Sequence, residues 1–230
     1  MKTIGLIGGM SWQSSIEYYR LINQQVAARL GKLHSAKCLL YSVDFHEMER
    51  LQVEGNWQTA ADLLADIARK LEKAGADCLL LCTNTMHKVA DEISAAVSIP
   101  LLHIADASGD EIRRQGWQRA GLLGTRFTME ETFYRERLAY NLDVEILIPS
   151  APQRETIHRV IYTELCEGRI LAESRDKFSA IVDSLTTDGA QGIVLGCTEI
   201  GLLLRGDDVS VPLLDSTHLH ARAAVEWALK

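Results

Sequence analysis

No apolar run in this 230-residue sequence approaches the roughly 18 residues that a membrane-spanning helix requires. Met1-Lys2-Thr3 passes directly into Ile4-Gly5-Leu6-Ile7-Gly8-Gly9, an apolar stretch too short for an export signal. Nor does any block of lysine or arginine stand out: 24 basic residues face 31 acidic ones, for a net charge of −7. A surface of that sign repels phosphate backbones, so neither nucleic acid nor a membrane is an expected partner. The five cysteines are an odd number and lack the pattern of a secreted disulfide framework. A cytoplasmic location is expected, where thiols stay reduced and serve structure, metal binding or catalysis. Zinc-ligand spacing is missing among the seven histidines, His218-Leu219-His220 being an isolated pair. The Gly5–Gly9 segment lacks the full dinucleotide fingerprint, and there is no phosphate-loop lysine motif. No metal and no cofactor are expected.

What is present is a globular composition, 47% hydrophobic and 24% charged, in a chain long enough for one or two cores. Short apolar runs alternate with segments of helical period. Thr3–Ile7, Lys37–Val43, Cys78–Leu81 and the run from Pro100 read as strands. Ser14–Leu30, Thr59–Lys73 and His87–Ala96 read as helices. In the first helix Ile16, Tyr19, Ile22, Val26 and Leu30 mark the expected core face. This alternation is that of α/β proteins with parallel sheets, whose functional loops lie at strand C-termini.

The second half of the chain repeats the first. Gly5-Leu6-Ile7-Gly8-Gly9 is echoed by Gly121-Leu122-Leu123-Gly124-Thr125, an offset of 116. Glu54-Gly55 recurs as Glu167-Gly168 after 113 residues, and Gly75-Ala76-Asp77 with the following strand as Gly189-Ala190-Gln191 after 114. Ile99-Pro100-Leu101-Leu102 recurs as Val211-Pro212-Leu213-Leu214 after 112. Four ordered echoes at nearly one offset indicate duplication. The expected fold is α/β with two similar lobes, each a mainly parallel sheet flanked by helices, related by a pseudo-twofold with the active site between them. Residues 1–103 form the first lobe, 104–212 the second, and 213–230 is expected to pack back on the first.

The duplication pairs Thr83 with Cys197, each just past an apolar strand. Leu81-Cys82-Thr83-Asn84-Thr85-Met86-His87 and Leu195-Gly196-Cys197-Thr198-Glu199 both lead from a strand into a helix. Backbone N–H groups at such turns, with a helix dipole behind them, suit a carboxylate, and the dipole lowers a neighbouring thiol's pKa. Asn84, Thr85, Thr198 and Thr125 are candidate donors to it. Cys38, Cys78 and Cys166 fall inside apolar patterns and read as core.

With Gly8-Gly9-Met10-Ser11-Trp12, Thr83-Asn84-Thr85-Met86-His87 and Gly196-Cys197-Thr198-Glu199, the chain resembles the pyridoxal-independent aspartate/glutamate racemases along essentially its whole length. The glycine-rich run points to the aspartate side of that family. The resemblance implies two α/β lobes, a small amino-acid substrate, no cofactor or metal, and a homodimer. It also implies two opposed cysteines, one removing the α-proton and the other returning a proton to the opposite face. Met10 and Ser11 would close over the substrate.

One position departs from the family's Cys-Asn-Thr motif: Thr83 stands where the first thiol belongs, and Cys82 lies one residue upstream. Neighbouring side chains on a strand point to opposite faces, so Cys82 is expected to face away from the site. A threonine hydroxyl is a very weak base, whereas a thiol is tunable near neutrality. Cys197 is therefore the expected base and Thr83 a proton donor or relay. Resemblance assigns the L-enantiomer to the second-lobe thiol, so L-substrate should turn over better. Gln52 would meet a neutral polar side chain, and Arg50 is the obvious cation nearby. This hints at a broad or neutral substrate range as well as aspartate. A single-thiol decarboxylase of malonate-type acids and a non-catalytic amino-acid binding protein remain as rivals.

Overall fold

In the computed structural model, which describes residues 1–31, 33–140 and 143–230, the chain starts with strand β1 (Ile4–Gly8), buried at every position. It continues through α1 (Trp12–Leu30), β2 (Cys38–Ser42), α2 (Phe45–Val53), α3 (Trp57–Lys73) and β3 (Cys78–Leu81). A 3-10 turn (Thr85–Val89), α4 (Ala90–Ala95) and β4 (Leu101–Leu102) follow. These strands form one parallel sheet in the order β2-β1-β3-β4. Both faces are covered, which is why β1 and β3 read as continuous apolar runs. Ile4, Leu6, Cys78, Leu80 and Cys82 pack with Tyr18, Ile22 and Val26 of α1. Ile7, Leu79 and Leu81 pack with Leu64, Ile67 and Leu71 of α3 on the other face. Each such aliphatic side chain taken fully out of water contributes roughly 1.5–3 kcal/mol.

Helix α1 buries Ile22 and Val26 as expected, but the rest of its buried face differs. Ser14, Ser15, Tyr18, Leu21, Ile22 and Val26 point inward, while Ile16 and Tyr19 are more than half exposed. The reason is polar. Ser14 Oγ donates to the Cys82 carbonyl at 2.8 Å, and Ser15 Oγ accepts from the Gly9 N–H at 2.8 Å. Small hydroxyl residues thus fasten the helix's first turn to the ends of two strands.

The second half repeats this plan with α5 (Ile104–Gln115), β5 (Arg119–Gly124), α6 (Arg126–Glu130), α7 (Thr132–Leu138), β6 (Glu145–Leu147) and α8 (Ala151–Thr163). Then come α9 (Ala172–Thr187), β7 (Ile193–Gly196), α10 (Ile200–Leu203), β8 (Leu213–Asp215) and α11 (Ser216–Ala228). Its sheet is also parallel, in the matching order β6-β5-β7-β8. Phe178, Ile181, Val182 and Leu185 of α9 pack with Leu122, Leu123 and Val194 of that sheet.

The chain divides into Met1–His103 with His220–Lys230, and Ile104–Leu219. The returning segment is therefore shorter than 213–230. Strand β8 stays in the second sheet, pairing Ile193 with Leu213, and Ser216 Oγ donates to the Leu195 carbonyl at 2.6 Å. From His220 onward, Ala221, Ala224, Val225 and Ala228 join the core of the first unit. Tyr18 Oη sits 2.7 Å from His220 Nδ1, and the Lys2 N–H donates to the Ala228 carbonyl at 2.9 Å. Among the described residues, no helix is long and apolar enough to cross a membrane.

Candidate active site

In the first unit, the candidate residues cluster at the C-terminal ends of β1 and β3. Gly9 has φ +90°, and a Cβ there would lie 2.3 Å from the Val43 carbonyl oxygen. Only glycine fits this turn. It leads into Met10 and Ser11, both buried, with Ser11 Oγ accepting from the Ser14 N–H at 3.3 Å as the cap of α1. Met10 packs with Met48 and Met86. Gln52 is buried on α2, and its Nε2 donates to Met86 Sδ at 3.1 Å. Arg50, by contrast, is exposed.

At the end of β3, Thr83 is held through its backbone. Its N–H donates to the Leu81 carbonyl at 2.9 Å, and its carbonyl lies 2.7 Å from His87 Nδ1. A carbonyl can only accept, so His87 carries its proton on Nδ1. The Thr83 side chain is 8% exposed, and among the described residues its hydroxyl has no protein hydrogen bond. Asn84 and Thr85 are buried beside it. Cys82 points into the core shared by β3 and α1, where burial pushes its thiol far above the ordinary range. Both residues lie just beyond β3, and Cys82 is the one that packs into that core.

In the second unit, Gly124 of β5 aligns with Gly196 of β7, which sets Thr125 and Cys197 at neighbouring strand ends. A Cβ on Gly196 would lie 2.9 Å from Leu122 Cδ1 and 3.0 Å from the Leu123 carbonyl oxygen, so the residue before Cys197 is glycine for space. Thr125 is buried, and its Oγ1 accepts from the Thr128 N–H at 3.3 Å as the cap of α6.

Cys197 donates its thiol proton to Glu199 Oε2 at 3.1 Å, and Thr198 Oγ1 donates to the same oxygen at 2.5 Å. Glu199 is 4% exposed and Cys197 7%. Burial, then the negative charge of Glu199, raise the Cys197 thiol well above its ordinary value, while the Glu199 backbone N–H opposes this. The expectation of a thiol acidified by a helix dipole is corrected here. The helices beyond the two motifs span only Ile200–Leu203 and Ala90–Ala95, too short to accumulate much macrodipole. Glu199 has no role in the sequence expectations above; the sequence signal for it is an acidic residue two positions after a strand-end thiol. The other thiols follow the core assignment: burial raises Cys38 to about 11 and Cys78 to about 12, and Cys166 further still.

The profile of the Asp/Glu/hydantoin racemase family matches residues 7–224. The broad specificity amino-acid racemase RacX of Bacillus subtilis (strain 168) is 26% identical, the match covering 98% of each chain. Among solved structures, a Yersinia pestis chain provisionally described as an Asp/Glu racemase is 56% identical, covers 100% of both chains and superimposes with a TM-score of 0.92. PH1733, an aspartate racemase homologue from Pyrococcus horikoshii OT3, is 32% identical with a TM-score of 0.86, again over 100% of both chains. More distant glutamate racemases share the fold, that of Francisella tularensis with a TM-score of 0.72 at 12% identity. The chain belongs to the Asp/Glu/hydantoin racemase family and is an isomerase of the amino-acid racemase class.

Proposed function

We propose that this enzyme interconverts L- and D-amino acids without a cofactor, with Cys197 as the base for the L-enantiomer and Thr83 on the proton-returning side. The observation that carries the reading is the buried Cys197 thiol bonded to a buried carboxylate, while its partner in the internal repeat is a hydroxyl. The Cys197 S–H bond breaks and its proton moves to Glu199 Oε2. The thiolate then takes the substrate's α-proton, and the electron pair left behind delocalises into the substrate carboxylate. Charge therefore grows on an already anionic group, so positioned donors lower the barrier most. Asn84 and Thr85 supply them in the first unit. Thr198 acts differently, since its hydroxyl proton goes to Glu199. The new proton arrives from the Thr83 hydroxyl, directly or through water, as its O–H bond breaks. Thr83 then regains a proton from water and Glu199 releases its own to water, which restores the resting site.

Thr83 is a poor base, so the reverse half-reaction is the hard one. At a racemic equilibrium kcat/KM must be equal for the two enantiomers. The bias toward L-substrate therefore appears in separate kcat and KM values, with a low kcat on the D-side. Substrate range is read as broad or neutral as well as aspartate: a buried amide, Gln52, lies near the first-unit motif while Arg50 faces solvent, and RacX is itself a broad-specificity racemase. The enzyme is read as a cytoplasmic homodimer acting on free amino acids.

Incubation with single L- and D-amino acids in D₂O, followed by mass and chiral analysis, tests the reading. Deuterium at Cα with inversion supports it. Carbon dioxide release from a malonate without α-exchange identifies a decarboxylase instead, and saturable binding with neither reaction identifies a sensor.

A further inference from the structure

Helix α1 is apolar on two sides. One side fills the core through Tyr18, Ile22 and Val26. The other presents Trp12, Ile16 and Tyr19, spaced by four and three residues and exposed at 63%, 57% and 55%. Leu40, 50% exposed, extends this stripe. Leu40 Cδ1 and Ser15 Oγ both fall within 2.9 Å of where a Cβ on Gly8 would sit, which places Leu40 against the start of α1. Strand β2, which carries Leu40, is the outermost strand of its sheet, so the sheet edge beside the stripe is open.

We propose that a second copy of this chain covers this face. The inference rests on the homodimer reading above and names its surface. Taking about 200 Å² as the full area of a large side chain, the four residues expose roughly 450 Å². That is more than half of the ~800 Å² per partner that a stable interface buries, the remainder being a polar rim. A net charge of −7 disfavours an anionic lipid surface or nucleic acid as the cover. At the rim, Glu17 and Arg20 already pair with each other, so neither of these two charges is left over to select a charged partner. The stripe is self-complementary: Ile16 lies between Trp12 and Tyr19, so two antiparallel α1 helices about a twofold axis set Ile16 on Ile16 and Trp12 on Tyr19. Trp12 follows Ser11 directly, so the contact braces the loop that carries Met10 and Ser11.

Sedimentation of the full chain at micromolar concentration tests this, alongside Ile16→Glu, Tyr19→Glu and Ile170→Glu variants. The wild type is expected at twice 25.6 kDa, and the two stripe variants as monomers with a dissociation constant raised at least about a hundredfold. Both stripe positions face solvent, so these variants keep the wild-type circular dichroism. Ile170, 46% exposed in the other unit, is the control and stays dimeric. A monomeric wild type overturns both the dimer and this surface. Dimers that survive both stripe substitutions, or that Ile170→Glu breaks equally, keep the dimer and overturn the surface. Neither outcome bears on racemisation, which the deuterium experiment judges separately.

Discussion

Replacing Glu199 by glutamine keeps the shape of the side chain and an acceptor for Thr198, but removes one charge 3.1 Å from the Cys197 sulfur. At that separation two unit charges repel by ~5 kcal/mol with an effective dielectric constant near 20. That corresponds to ~4 pKa units at ~1.4 kcal/mol each. Both groups are deeply buried, so solvent screens little of this, although relaxation of the site recovers part. We expect the Cys197 midpoint to fall by at least ~1 unit, read from the pH dependence of iodoacetamide alkylation followed by mass analysis of the Cys197 peptide. The same variant has lost its proton acceptor, so kcat should drop about a hundredfold, at the lower end of general-base contributions. A more acidic thiol in a slower enzyme is an unusual pairing. An unchanged or higher midpoint would refute the electrostatic argument, and an undiminished kcat would refute the proton-acceptor role.

Thr83→Cys restores a thiol at the partner position and should raise kcat for D-substrates at least about tenfold, with kcat/KM remaining equal for the two enantiomers; a folded variant with no gain on the D-side contradicts the pairing. Cys82→Ala should leave racemisation within about twofold and cost about 1 kcal/mol of stability from the vacated core volume. It should also change the alkaline limb. The folded-state pKa of Cys82 is raised by burial, so between the unfolded value near 9 and the folded one the native state holds a proton that the unfolded chain has lost. Stability is therefore complete below about pH 9 and declines as pH rises above it, by up to ~1.4 kcal/mol per pH unit for each such thiol. Urea denaturation at two alkaline pH values should show a shallower decline in Cys82→Ala than in wild type; identical slopes contradict the assignment.

The duplicated architecture was legible because both halves keep the same strand-end punctuation, and matching positions in the two sheets carry it: Gly8 and Gly124 both end a strand. The places of Thr83 and Cys197, just past β3 and β7, were likewise legible from the internal repeat. Helix α1 was not, because hydrophobic period cannot choose between two apolar faces. Ser14 and Ser15 decided the choice through bonds to Cys82 and Gly9, partners 68 and 6 residues away. The start of the returning segment was obscured for a similar reason. Leu213–Asp215 looks the same on either sheet, and only its pairing with β7 assigns it. Glu199 sat in plain view, but a carboxylate near a thiol in sequence has no stated orientation until both side chains are buried together.

The central claim is that Cys197 is the base. The most direct measurement is α-deuterium incorporation into L-amino acids, aspartate among them, in D₂O by Cys197→Ser beside the wild type. Serine preserves the size of the side chain and a donor to Glu199, but its hydroxyl is not a competent base near neutral pH. The account predicts that exchange falls by on the order of a thousandfold while the fold, by circular dichroism, is retained. Exchange at the wild-type rate in Cys197→Ser would contradict it.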